Sequence, residues 1–231
     1  MLKILILSGG GYIGHVLTDH LLSKNKFYVT VVDRFIFIKK NSFKNNSKLK
    51  IIKDDIRKLK KNIYINNDIV IDLTNVSISP KGIKYYDVLT WQIDYETRKR
   101  NIILSKENGV KKFLYPSSCS VYGFSKKNKL LSENDELSPK STYAKAQAKL
   151  EKFAITQGDN NFCISILRLP TVFGISNRTR FDVIINSLVY DIYKHGKVNL
   201  LRNGKQKRPF VHIKDVARAF EFFIHTKPSL I

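Results

Sequence analysis

The chain is poor in cysteine, in acidic residues and in long apolar runs. Its two cysteines, Cys119 and Cys163, lie far apart, and neither has a histidine or a second cysteine at metal-ligand spacing. No zinc site or disulfide framework is indicated, so we expect two reduced thiols and no metal. No stretch has the apolar length of a membrane helix, and the run at residues 4–7 is too short for a signal-peptide core. We therefore expect a cytoplasmic protein with no membrane partner.

The shortage of acidic residues leaves a strongly basic chain, with 41 Lys and Arg against 19 Asp and Glu and a net charge of +22. A basic surface attracts nucleic acid whatever its sequence. The lysines are nevertheless scattered over nearly every segment, and no helix-turn-helix, zinc-finger or aromatic RNA-binding pattern accompanies them. A basic nucleic-acid-binding protein is kept only as a remote alternative. The same charge would help to attract an anionic nucleotide substrate.

Apolar runs of strand length alternate with segments of helical period, which is typical of a parallel sheet covered by helices. Strands are predicted at residues 3–7, 28–33, 50–53, 69–73, 112–115 and 163–168, and long helices at 12–23, 88–108 and 141–156. The C-terminal part is predicted to hold a helix at about 181–194, a short strand near Val198 and a helix from Lys214. The Lys/Asn-rich stretches 39–48 and 58–67 are predicted to be surface loops or short helices.

A glycine-rich turn follows the first predicted strand and opens the first predicted helix, with the sequence Ser8-Gly9-Gly10-Gly11-Tyr12-Ile13-Gly14. Glycines at this position let the backbone turn tightly and approach a pyrophosphate at a helix N-terminus. The second predicted strand ends in Asp33, whose carboxylate can bind the adenine-ribose hydroxyls and repel a 2′-phosphate. This arrangement predicts a dinucleotide site that prefers NAD to NADP, a preference that the neighbouring Arg34 slightly weakens.

Three segments together resemble the cofactor half of the extended short-chain dehydrogenase/reductase family, which includes NAD-dependent nucleotide-sugar epimerases and dehydratases. They are Gly11-Tyr12-Ile13-Gly14, Val31-Val32-Asp33-Arg34 and Asp54-Asp55-Ile56-Arg57. The resemblance implies that Asp55 reaches the adenine amino group and that Ile56 packs near the ring. The set of cofactor-binding residues that it implies is Ser8, Gly9, Gly11, Tyr12, Ile13, Gly14, Asp33, Arg34, Asp55, Ile56, Leu73, Thr74, Tyr143, Gln147, Pro170 and Thr171.

The family's catalytic residues are matched in two further segments, Tyr115-Pro116-Ser117-Ser118-Cys119-Ser120-Val121-Tyr122-Gly123 and Ser141-Thr142-Tyr143-Ala144-Lys145-Ala146-Gln147. By resemblance, Ser118 touches the reacting hydroxyl and Tyr143 is the catalytic tyrosine. A tyrosine with a pKa of about 10 is a weak base at neutral pH, so it needs a nearby cation. The family supplies that cation as a lysine one helical turn after the tyrosine, where this chain has Gln147.

Gln147 carries no charge, which leaves three possibilities open. Another cation supplies the field, activity is low but real, or the chain binds cofactor and substrate without turnover. The reaction itself can be narrowed, because family 4,6-dehydratases carry an Asp-Glu pair where this chain has Cys119-Ser120. Epimerases that invert by deprotonation use a cysteine at the position of Ser120. A hydride-shuttling epimerase or a sugar dehydrogenase fits better.

The substrate side resembles the family through Leu167-Arg168-Leu169-Pro170-Thr171-Val172-Phe173-Gly174 and through Arg208-Pro209-Phe210-Val211-His212. The resemblance implies that Thr171 and Val172 lie near the nicotinamide. It also implies that Ser120, Asn186 and Arg208 bind substrate, the last two by holding the nucleotide diphosphate.

We therefore predict an α/β protein with a Rossmann-type doubly wound parallel sheet and a small C-terminal substrate lobe, which we expect to be truncated relative to the family. An NAD-binding domain at residues 1–170 is predicted to interleave with a partial substrate-binding lobe at 171–231. The predicted function is that of an NAD-dependent nucleotide-sugar epimerase or related dehydrogenase. The alternative is a catalytically impaired binding protein on the same fold. The expected partners are a nucleotide-diphosphate sugar and, by resemblance, a second copy of the chain in a homodimer.

Overall fold

A computed structural model describes residues 1–39, 42–76, 84–124, 130–198 and 207–226. The strands are β1 Leu2–Leu7, β2 Phe27–Asp33, β3 Leu49–Lys53, β4 Ile69–Asp72, β5 Lys112–Ser118, β6 Cys163–Leu169, β7 Thr171–Phe173 and β8 Phe210–His212. The α-helices are α1 Tyr12–Ser23, α2 Lys84–Trp91, α3 Arg98–Glu107, α4 Thr142–Gln157, α5 Ile184–His195 and α6 Ile213–His225. A π-helical segment, Gln92–Thr97, joins α2 to α3.

Six of these strands form one parallel sheet in the order β3-β2-β1-β4-β5-β6. The chain moves outward from β1 in one direction through β2 and β3, and then in the other through β4, β5 and β6. In such a sheet the reversal leaves a crevice beyond the carboxyl ends of β1 and β4, where ligands bind. The predicted doubly wound sheet of the Rossmann type is confirmed.

Both faces of the sheet are covered, which explains why the central strands are almost uniformly apolar. Successive side chains of β1 alternate between the faces, so Ile4 and Ile6 belong to one core and Leu5 and Leu7 to the other. The first core is completed by residues of α1 and α6, and the second by residues of α3 and α4. Because α6 packs on α1, the C-terminal part of the described chain contributes to the same core as the N-terminal part.

The predicted elements are largely found, with four differences. The helix predicted at 88–108 begins earlier and contains the π-helical segment, in which the Thr97 hydroxyl donates to the Gln92 carbonyl at 2.8 Å. The parallel pair β7–β8 was not predicted, because its strands have only three residues each. Tyr64, in a stretch predicted to lie on the surface, is fully buried. Val198 lies in no strand, and residues 199–206 lie outside the described part of the chain.

Within the described ranges, we find no helix that is both long enough and apolar enough to span a bilayer. The cytoplasmic location stays a prediction, as does the boundary drawn at residue 170.

Candidate active site

The glycine turn between β1 and α1 brings two backbone segments unusually close. A Cβ added to Gly14 would lie 2.5 Å from the Gly9 carbonyl oxygen, so only glycine fits there. Ser8 has a left-handed backbone with φ of 58°, and the Gly11 N–H donates to its carbonyl at 3.2 Å. No side chain in the described part of the protein caps the first amides of α1. The turn thus presents free N–H groups at a helix N-terminus, which is a site for phosphate.

Asp33 lies at the end of β2 and stabilises the glycine turn by hydrogen bonding. One carboxylate oxygen accepts the Gly10 N–H at 3.0 Å, and the other accepts the Phe35 N–H at 2.7 Å. Burial raises the pKa of Asp33, while these backbone hydrogen bonds act in the opposite direction. Each oxygen keeps a second lone pair, so the carboxylate can still accept from a ribose diol.

Asp55 lies beside Asp33 at the cleft edge and is held by arginines. Its oxygens accept from the Arg57 side chain at 2.5 to 3.1 Å, and the Arg34 guanidinium is 3.6 Å away. The hydrogen bonds from Arg57 hold the pKa of Asp55 well below its usual range. The carboxylate is therefore ionised at neutral pH and can accept an adenine amino group, although part of its acceptor capacity is already used.

The proposed catalytic pair meets where α4 begins and β5 ends. Ser141 caps α4 by accepting the Ala144 N–H at 3.1 Å, which sets Tyr143 in the first turn. Ser118, the last residue of β5, and Asn75 lie near the Tyr143 hydroxyl, and their polar side chains lower its pKa. Burial raises the pKa of Tyr143, and the negative charge of Asp94 adds to that rise. The structure therefore brings Ser118 and Tyr143 together as the resemblance implies, with a tyrosine that is hard to ionise.

Arg98 is the residue that sequence reasoning missed. It is the first residue of α3, it is fully buried, and its guanidinium donates to the Gln147 side-chain oxygen at 2.9 Å. Its positive charge lowers the pKa of Tyr143. A signal existed in the sequence, because Arg98 falls inside a long predicted helix that had to pack on the sheet. With seven lysines and arginines from residue 84 to residue 112, nothing marked this one as buried.

Gln147 is fully buried beside Arg98 and is not among the residues that line the cleft. Its side-chain nitrogen is buried and has no hydrogen-bond partner in the described ranges. Its assignments as a catalytic and a cofactor-binding residue stay predictions, and the geometry connects it to Arg98 rather than to the cleft.

One cleft of about 850 Å³ runs along the carboxyl edge of the sheet. Ser118 lines it, as do most of the predicted cofactor residues: Ser8, Gly11, Tyr12, Ile13, Gly14, Asp33, Arg34, Asp55, Ile56, Leu73, Thr74, Tyr143, Pro170 and Thr171. Gly9 is not part of the lining, and a Cβ added to it would meet the side chains of Val31 and Ile6. The close glycine backbone, the uncapped helix and the carboxylate at the end of β2 fit a dinucleotide.

Val172, Arg178 and Arg180 also line the cleft. The Arg178 guanidinium lies 4.2 Å from the ring centroid of Phe37, which also lines the cleft. These cations are placed to attract a diphosphate.

The three predicted substrate ligands lie outside the cleft lining. The Asn186 amide accepts the Gly174 N–H at 3.0 Å and donates to the Tyr12 hydroxyl and the Arg180 carbonyl, so its polar atoms are already in use. Ser120 has a buried hydroxyl with no partner in the described chain, and Arg208 is exposed. Their roles stay predictions.

No cluster of three or more His, Cys, Asp or Glu side chains that could hold a metal ion is found among the described residues.

Comparison with known proteins places these features in a family. The profile of the NAD dependent epimerase/dehydratase family matches residues 4–229. The uncharacterized UDP-glucose epimerase YtcB of Bacillus subtilis (strain 168) is 27% identical over 242 residues, covering 100% of this chain and 74% of that protein. The probable UDP-arabinose 4-epimerase 3 of Oryza sativa subsp. japonica is 26% identical over 211 residues, covering 85% of this chain and 50% of that protein.

Among solved structures, the UDP-glucuronic acid 4-epimerase from Bacillus cereus in complex with NAD superposes with a TM-score of 0.86 at 25% identity. The match covers 100% of this chain and 76% of that one.

Proposed function

Because the chain belongs to the NAD dependent epimerase/dehydratase family, we propose that it binds NAD and a nucleotide-diphosphate sugar and acts as a hydride-shuttling epimerase or a related sugar dehydrogenase. One observation carries the proposal. Tyr143 and Ser118 line the same cleft as the glycine turn and Asp33, and the Ser118 side chain is near enough to lower the pKa of Tyr143. A sugar hydroxyl and a dinucleotide would therefore meet beside two hydroxyl groups suited to move the proton.

The cofactor end of the cleft would hold NAD through three features. The free amides at the start of α1 would bind the pyrophosphate, Asp33 would accept from the adenine ribose, and Ile56 would pack against the adenine. When bound, NAD supplies an acceptor for hydride and, once reduced, a donor.

At the sugar, Tyr143 in its ionised form would take the proton of the reacting hydroxyl. Ser118 would donate a hydrogen bond to the same oxygen as the carbonyl forms. An epimerase would return the hydride to the other face of the keto-sugar before release, whereas a dehydrogenase would release the keto-sugar. The two activities therefore differ in whether NADH accumulates.

Binding without turnover is a second candidate, and the raised pKa of Tyr143 favours it. Burial raises the pKa of Tyr143 above its usual value near 10, so the residue is mostly protonated at neutral pH in the empty cleft. A binding protein would keep the cofactor affinity and lack the chemistry.

The test is to incubate the purified protein with NAD and a panel of UDP-sugars and to follow the products by NMR and NADH by absorbance. We expect an epimerised sugar without net NADH, and Tyr143→Phe should abolish the product while keeping NAD affinity. Tyr190→Phe, which changes a partly exposed tyrosine on α5, is the matched control and should keep the activity. NAD binding with no product from any sugar would support the second candidate, and no NAD binding would refute both.

We also propose a homodimer formed through the π-interrupted helix pair α2–α3 and α4. The α2–α3 pair and α4 each have an exposed apolar side chain, Val88 on α2 and Ile155 on α4. Sedimentation of the parent and of a Val88→Glu/Ile155→Glu variant tests this, since charges at an isologous interface would separate the subunits. A parent that sediments as a monomer would refute the dimer.

A further inference from the structure

The Arg98 side chain is buried and donates its hydrogen bonds to neutral oxygens. Its guanidinium donates to the Gln147 side-chain oxygen at 2.9 Å, to the Pro116 carbonyl at 3.0 Å and to the Asp72 carbonyl at 3.4 Å. It also lies over the Tyr115 ring at 4.6 Å from the centroid. A buried guanidinium tolerates such a site because its charge is delocalised and it stacks on aromatic rings. The cation is therefore fixed in position by neutral groups, and no carboxylate of the described residues forms a salt bridge with it.

We propose that Arg98 is the cation that promotes ionisation of Tyr143, and that Gln147 positions it. The inference rests on the proposed function, in which Tyr143 is the base. In the family that this chain resembles, a lysine one helical turn after the tyrosine performs this task. The matching position here, residue 147, lies on α4. Here the charge comes from α3, and the α4 position supplies a neutral acceptor that holds the charge in place.

The presence of Arg98 explains why residue 147 is an uncharged glutamine rather than a lysine. A lysine at 147 would bring an ammonium to the point where the guanidinium now donates, and two like charges at that distance in a buried site disfavour each other's ionised form. Glutamine offers an oxygen instead. The arginine and the glutamine are thus mutually compatible, whereas the arginine and the family lysine are not.

Two acidic side chains lie in the same region as Arg98, and their negative charges oppose its positive charge. Asp94, in the π-helical segment, raises the pKa of Tyr143, and Asp72, at the end of β4, is fully buried. The Asp72 carboxylate accepts the Asn101 side-chain N–H at 2.9 Å and the Thr74 N–H at 2.9 Å. A purely structural role for Arg98, as a counter-charge for these acids, is therefore the rival explanation, and the experiment must separate the two.

The direct measurement is the titration of the residue at position 143 in the cofactor-free protein. We would incorporate 2,3,5-trifluorotyrosine at that position alone, since its lower intrinsic pKa brings the transition into an accessible range, and follow it by fluorine NMR. Arg98→Met should move the transition to higher pH, Arg98→Lys should move it less, and Arg98→Met/Gln147→Lys should move it back toward the parent.

Turnover provides the second measurement, with unmodified Tyr143. Each unit by which the pKa rises should lower the neutral-pH rate about tenfold and displace the rate profile to alkaline pH by one unit. The double variant should recover the parent's profile. A structural counter-charge predicts lower stability in Arg98→Met with an unchanged titration at position 143, and that result would overturn the proposal.

If the Arg98→Met variant does not fold, the Gln147→Glu variant tests whether Arg98 controls the pKa of residue 143. It preserves Arg98 and the shape of the side chain but places an anion against the guanidinium, so it should raise the transition at position 143 in a folded protein. An unchanged transition in Gln147→Glu would also overturn the proposal. A parent without turnover whose titration still responds to Arg98 would refute the proposed function and leave the electrostatic role standing.

Discussion

The carboxylate of Asp94 accepts the backbone N–H of Val76 at 2.9 Å with one oxygen, while its other oxygen is buried and has no partner in the described chain. Burial raises the pKa of Asp94 to about 7. An acid whose pKa is raised by folding is ionised more readily in the unfolded chain. Folding stability is therefore lost as pH rises from about 4, the unfolded pKa, to about 7, and is level above that.

Asp94→Asn should remove this loss, because an amide keeps the oxygen that accepts from Val76 and never ionises. We expect a gain of about 1 to 4 kcal/mol in the free energy of unfolding at pH 8 and little gain near pH 4. Urea unfolding at a series of pH values measures it, with Asp87→Asn, an exposed aspartate on α2, as the control that should show no such pH dependence. An equal gain at every pH would mean that Asp94 stays in one protonation state.

The nucleotide preference should depend on Asp33. The parent should bind NAD more tightly than NADP, because the carboxylate accepts from the ribose diol and repels a 2′-phosphate. Asp33→Ala should narrow the difference in affinity between NAD and NADP, but it also removes the acceptor for the backbone N–H groups of Gly10 and Phe35. Asp33→Asn keeps an acceptor oxygen and loses the charge, so a similar narrowing in both variants would assign the effect to charge. Calorimetric titration measures it, and equal affinity of the parent for both cofactors would contradict the assignment.

Adding a single methyl group at Gly14 should destabilise the glycine turn. Gly14→Ala would place Cβ 2.5 Å from the Gly9 carbonyl oxygen, and we expect a loss of about 1 to 3 kcal/mol or more in stability, with loss of NAD binding. Gly158→Ala is the matched control, since φ there is −67° and the nearest atom to an added Cβ is 3.7 Å away. It should change stability by less than about 1 kcal/mol. Thermal melts and NAD titration of both variants provide the comparison.

No 4,6-dehydratase activity is expected. Elimination of water needs an acid and a base beside the sugar, and the residues after Ser118 are Cys119 and Ser120. The Cys119 thiol donates to the Arg168 carbonyl at 3.2 Å, and burial raises its pKa, so it does not supply a thiolate readily. NMR of the products from UDP-glucose and other nucleotide-glucose donors checks this, and release of a 4-keto-6-deoxy sugar would falsify it.

Local sequence was sufficient to predict the sheet and to identify the glycine turn and the acid that line the cleft. The apolar runs marked all six strands of the large sheet, because strands buried on both faces must be apolar along their whole length. The glycines around Gly11 and the acid at Asp33 were recognisable because a turn that approaches a phosphate and a carboxylate that ends a strand are properties of short segments. Tyr143 and Ser118 were recognisable because each lies in a short motif of its own.

The electrostatic setting of Tyr143 was decided only by tertiary structure. The residues that act on it come from the segment after β4, the π-helical segment, α3 and β5, and their separations in sequence carry no pattern. In the sequence Arg98 is one of 41 basic residues, and Gln147 is a glutamine at the position where the resemblance implies a catalytic lysine. Packing brings the two side chains within 2.9 Å in a buried site. There the guanidinium's charge acts on the tyrosine with far less screening than water would impose, because the strength of a charge depends on the dielectric around it.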